Sequence, residues 1–125
     1  KDAISKFETI KHIYNLSNTI YNSTKTSTNI RSEKKVPTDY RSLRRETLNN
    51  LKLTSEAFES FNDEELKNVK IIIQRKSGNY EFPIWNLING PISDAIYHPG
   101  QLVSFRRTSG NPIPKGVNVF LGIKK

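Results

Sequence analysis

The sequence predicts an all-α helical bundle carrying one minor β-hairpin. Three observations carry that expectation. Three stretches repeat apolar residues at three- and four-residue spacing, and one short β-branched run is followed by a turn. The length of 125 residues suits one hydrophobic core in a single domain spanning 1–125. Hydrophobic residues make up 34% of the chain, so a core forms only if they gather on matching faces.

The first helix is expected over residues 2–23. Phe7, Ile10, Tyr14 and Tyr21 form its stripe, which Ala3, Ile4, Ile13, Leu16 and Ile20 widen, with His12 at the edge. Residues 22–37 (NSTKTSTNIRSEKKVP) lose this periodicity and read as a long exposed loop. Thr38 or Asp39 can cap a second helix running to about Phe61. Its inward face is expected at Tyr40, Leu43, Thr47, Leu51, Thr54, Phe58 and Phe61. Asn62 and Glu65 have the spacing of a capping box for one short turn.

Val69 to Ile73, a turn at Ser77-Gly78-Asn79, and Tyr80 to Phe82 then predict a hairpin. A lone hairpin is not an independent sheet, so it must lie against helices. The third long helix is expected from about Pro83, its stripe formed by Trp85, Ile88, Ile92, Ala95 or Ile96, and Leu102 or Val103. Gly90-Pro91 can break or restart it, and Pro99 removes an amide and predicts a kink beside His98. Ser109-Gly110-Asn111-Pro112 ends the helix. The alternation of Val117, Val119 and Leu121 predicts a short strand or extended segment packed on the bundle.

Charge and composition narrow the function. The net charge is +8 and the pI near 9.8, a balance that attracts anions. The Lys and Arg residues are spread along the chain with no block of five or six, so solvated helix faces explain them better than a nucleic-acid arm. No run approaches 18 apolar residues and no signal peptide opens the chain, which predicts a cytoplasmic protein with no membrane partner. Zero Cys excludes disulfides, thiolate ligands and a cysteine nucleophile.

The chemistry-bearing residues are few. His12 and His98 are the two histidines, and Asp94 stands four residues before His98, one helical turn away on the same face. Two imidazoles and a carboxylate from two helices would make a three-ligand metal site with a position left for water or substrate. The competing reading of Asp94 and His98 is a surface pair. Gln101 could orient a ligand, or simply pack beside Gly100. Tyr97 and Trp85 read as core or interface aromatics more readily than as substrate contacts. Arg106 and Arg107 could clamp an anion, although a solvated helix end accounts for them as well.

DAIYHPGQLVSFRRTSGNP, residues 94–112, carries His98, Gly100, Gln101, Leu102, Arg106 or Arg107, and Gly110 in an order that resembles the last helix of the DinB-like metal-binding helix bundles. The GNPIPKGVNVFLG ending resembles one subgroup of that family. The likeness covers mainly residues 83–122, with weaker support from 1–23. In the family a His-x-x-x-His pair occupies this helix, so Asp94 stands where the first His would fall, and His12 matches the ligand from an earlier helix. Pro99 is a second departure, at a position usually compatible with a helix.

The resemblance implies a four-helix bundle. Three long helices are visible here, and the first family helix would lie before Lys1, so the chain is expected to be N-terminally incomplete. It also implies a divalent ion, with Zn or Ni suiting two imidazoles and a carboxylate. The activity implied is metal-dependent transfer or hydrolysis on a small-molecule substrate, with a low-molecular-weight thiol as co-substrate, in a homodimer. The alternative is a degenerate, non-catalytic member of the family acting as a structural or protein-interaction module.

Overall fold

A computed structural model describes residues 5–25, 35–118 and 121–125. Helix α1 (Lys6–Asn22) starts where the Ser5 side chain accepts a hydrogen bond from the Glu8 amide at 3.1 Å. Residues 1–4 of the expected first helix, and 26–34 of the expected loop, lie outside the described residues. Asn22 and Ser23, placed in that loop by composition, are instead buried at the end of α1. Helix α2 (Tyr40–Ser60) is capped by Asp39, whose carboxylate accepts from the Ser42 amide at 2.9 Å. That hydrogen bond holds the Asp39 pKa below its ordinary value.

α1 and α2 pack along most of their length, and the interface between them is half polar. Tyr14 and Leu43 are fully buried there. Beside them Asn50 donates to the Ser17 hydroxyl at 3.2 Å, and Ser17 donates in turn to the Tyr14 carbonyl at 2.7 Å. The Tyr14 hydroxyl donates to Glu46 at 3.4 Å, and burial, followed by that carboxylate, raises the phenol pKa. The expected inward face of α2 is thus corrected. Leu51 and Tyr40 are exposed, while Asn50 takes an inner position on the Leu43, Thr47, Asn50, Thr54 stripe. A buried amide is tolerated there because it has a partner.

Helix α3 (Asp63–Asn68) has the expected capping box. Asn62 accepts from the Glu65 amide at 2.9 Å, and Glu65 accepts from the Asn62 amide at 2.9 Å. Strands β1 (Lys70–Arg75) and β2 (Gly78–Pro83) pair antiparallel, with Ile71 opposite Phe82 and Ile73 opposite Tyr80. The turn is therefore Lys76-Ser77, one residue earlier than Ser77-Gly78-Asn79. Gly78 pairs with Arg75 and takes the positive φ of 132°. The hairpin rests on helical residues, as a lone hairpin must. Ile71 and Leu87 are buried at the centre of a small cluster with Phe58, Ile73, Phe82, Ile84 and Ile92 around them.

The last long helix begins later than Pro83, which still belongs to β2. A π-helical segment, Ile88–Ile92, contains Pro91 and leads directly into α4 (Ser93–Thr108). Pro91 has no amide to give to an α-helical ladder, and the wider turn absorbs that loss. The Ser93 hydroxyl donates back to the Ile88 carbonyl. A π turn holds one residue more than an α turn, so the face presented beyond it is rotated by roughly 100°. The single stripe expected from Trp85 through Ile96 is broken, since Trp85 lies in the turn after β2 and Ile96 lies beyond the π segment. Trp85, Ile88 and Ile96 are each more than half exposed, whereas Leu87 is buried. α4 then runs through Pro99 to Thr108 without interruption.

The tail forms a second small hairpin, β3 (Val117–Asn118) with β4 (Ile123–Lys124). Gly116, at φ 87°, accepts the closing bond from the Lys125 amide, and a Cβ there would stand 2.7 Å from the Lys125 carbonyl oxygen. Val117, Leu121 and Ile123 are exposed, and Val119 of the expected alternation lies outside the described residues. The fold is mostly helical, with four helices and a two-stranded antiparallel sheet ahead of the last. Among the described residues no helix is long and apolar enough to cross a membrane.

Candidate metal centre

Asp94 and His98 sit one turn apart on α4, on the side that meets α1, and His12 comes from the middle of α1. The three side chains converge. Asp94 Oδ2 lies 3.2 Å from His12 Nε2, and Asp94 Oδ1 lies 3.2 Å from His98 Nε2. The imidazoles meet edge to face with ring centroids 4.5 Å apart. One ligand atom from each residue falls within 4.8 Å of the other two, so the group could hold a metal ion. A tetrahedral ion with bonds of about 2.0–2.1 Å sets its ligands about 3.3 Å apart, close to the separation of each Asp94–imidazole pair.

Gln101 decides how His98 presents itself. Its Oε1 is 2.6 Å from His98 Nδ1, and its amide nitrogen donates to the Tyr97 hydroxyl at 3.2 Å. With the amide oriented by Tyr97, His98 donates through Nδ1–H and turns Nε2 toward Asp94. The Nε2 so presented lies 3.2 Å from Asp94 Oδ1. Two electron-rich atoms at that distance repel each other unless a proton or a cation lies between them. Cation binding is one of the two ways to satisfy the arrangement, and the donor set of two nitrogens and a carboxylate suits a borderline divalent ion.

The centre is half open. The His98 side chain is 17% exposed, but those of His12 and Asp94 are 46% and 45% exposed. On that open side lies a cleft of about 1100 Å³ between α1, the hairpin and the start of α4. His12 and Asp94 form one end of it, and Tyr97 also lines it. Leu16, Ile71, Ile73 and Phe82 supply its apolar surface. The amide side chains of Asn15, Asn86 and Asn89 edge it.

The remaining residues singled out from the sequence fall as follows. Gln101 and Tyr97 stand beside His98 in the chain of contacts just described. Arg106 does not reach the centre. Its guanidinium donates to the Asn111 carbonyl at 3.0 Å and the Pro112 carbonyl at 3.2 Å, tying down the turn that ends α4. Arg107 and Trp85 are exposed and do not line the cleft. Asn15 stands beside His12 in the sequence without a signal of its own, and no motif or periodicity marks Asn86 or Asn89.

Comparisons with protein-family models, with curated proteins and with solved structures find no match for this chain.

Proposed function

We propose that this chain is a DinB-like helical bundle that holds one divalent ion, Zn or Ni, through His12, Asp94 and His98 in a thiol-dependent transferase or hydrolase. The observation that carries the reading is the meeting of three ligand atoms from two helices within 4.8 Å, beside an open cleft. A bound ion would supply Lewis acidity, drawing down the pKa of a thiol or water held in its open position.

The chain's own residues do the rest. Gln101 fixes the His98 tautomer and ring plane, so that Nε2 is the atom offered. Asp94 reaches both imidazoles and contributes the negative charge that offsets part of a divalent charge. His12, the more exposed imidazole, sits at the mouth where a substrate enters. The substitution of Asp94 for the family's histidine keeps a divalent-ion ligand and changes the charge of the site by one unit.

Cobalt spectroscopy tests the thiol reading. Protein loaded with Co(II) and titrated with 2-mercaptoethanol should develop an intense near-ultraviolet sulfur-to-cobalt band that His98→Ala abolishes. A Co(II) protein that shows no such band at any thiol concentration overturns thiol dependence.

A further inference from the structure

Among the described residues, the basic side chains do not line the cleft. Twenty Lys and Arg give the protein a net charge of +8, yet among the described residues that line the cleft none is Lys or Arg, and Asp94 is the one charged side chain. Among the described residues lining the cleft, a second anionic group on a ligand, away from the metal-binding end, would meet no cation to replace the hydration it gives up. The cleft offers carboxamides instead. Among the described residues, the side chains of Asn15, Asn86 and Asn89 make no hydrogen bond to the protein, leaving donors and acceptors open to an uncharged polar group. Its apolar surface comes from two sources, Leu16 on α1 and the hairpin residues Ile71, Ile73 and Phe82. Leu16, Ile73 and Phe82 are half-buried, so a ligand would remove further apolar area from water.

We propose that the cleft selects an uncharged amphipathic substrate: one metal-binding group at His12 and Asp94, an aliphatic or aromatic body along Leu16, Ile73 and Phe82, and neutral polar groups at the asparagines. This rests on the metal-centre reading and adds the chemical class of what enters. Steric room is ample for a drug-sized molecule, since ligand pockets commonly run from about 300 to 1000 Å³.

Hydroxamic acids that anchor on a metal test the claim, with Co(II)-loaded full chain and calorimetry. Acetohydroxamic acid, hexanohydroxamic acid and adipic acid monohydroxamate share the head group and differ in tail length and terminal charge. Burial of a methylene is worth about 0.8 kcal/mol at most, or roughly fourfold in Kd. The hexano compound should therefore bind at least about tenfold tighter than the aceto compound, and the terminal carboxylate of the adipic compound should erase most of that gain. Asn89→Lys, at an exposed position clear of the metal ligands, should recover binding of the carboxylate compound. Equal affinity for all three probes, or preference for the carboxylate in the unaltered protein, overturns the inference while leaving the metal centre standing. Failure of Co(II) to bind at all overturns the metal centre and this inference together.

Discussion

Gln101 is the residue through which the centre is most sensitively adjusted. It touches no position where an ion would sit, yet it holds His98 Nδ1 at 2.6 Å and is itself held by Tyr97. Loss of a partner of this kind typically weakens metal affinity by about 10–100-fold. Gln101→Leu should therefore lower Co(II) affinity by at least about tenfold with little change in thermal stability, because the side chain is only partly buried. An unchanged affinity would show that the ring needs no such support. Sequence reading reached His12, Asp94, His98 and Gln101 because helical spacing and the resemblance to DinB-like bundles both single them out. It did not reach the Asn50–Ser17 pair. A buried amide cannot be told from a surface one by composition, since its partner lies 33 positions away in the chain.

Among the elements, the π turn before α4 has the largest consequence. It explains why Ile96 is exposed although its spacing predicts a core stripe, and its cause is a proline that periodicity treats as a blank. Deleting Gly90 should return the segment to α-helical register and rotate Asp94 and His98 by roughly 100° away from α1. Helix content by circular dichroism should persist while metal binding is lost. Retained binding in a folded deletion variant would contradict the role given to the turn.

At the start of α2, the Asp39 cap should be sensitive to acid. Its pKa is lowered in the fold by the Ser42 amide bond, so its contribution is fully present above the unfolded-state value near 4 and disappears as pH falls through the lower folded value. Wild type and Asp39→Ala should thus melt at different temperatures at neutral pH and converge in acid. A gap that stays constant down to about pH 2 would refute the assignment. In the α1–α2 interface, Leu43→Ala should cost about 2–5 kcal/mol by denaturant unfolding, since the side chain is fully buried.

Taken as a whole, the molecule separates its charge from its candidate chemistry. Among the described residues the basic side chains stay off the cleft, whereas the open side of α1 and α4 gathers two imidazoles, a carboxylate and four asparagine amides around an apolar floor. The approximate limits of α1 and α2 were legible because both keep a 3.6-residue period and Asp39 offers a cap, whereas the last helix was expected from Pro83, ahead of the π segment that precedes α4. The ends of the hairpin and the pairing of the tail were not legible, because two-residue strands and a Lys76-Ser77 turn leave no pattern longer than the noise of composition. Because the candidate ligands come from both α1 and α4, an ion bound there would link the two helices and stabilise the fold. Saturation at about 100 times Kd should add roughly 2.7 kcal/mol to stability.

Elemental analysis of the purified protein, with His12→Ala and His98→Ala variants alongside, bears most directly on the three-ligand centre. The account predicts close to one divalent ion per wild-type chain and a loss of most of it in either folded variant. Wild-type protein that carries no ion and takes none up on dialysis against Zn or Ni would contradict it, as would variants that retain their metal in full.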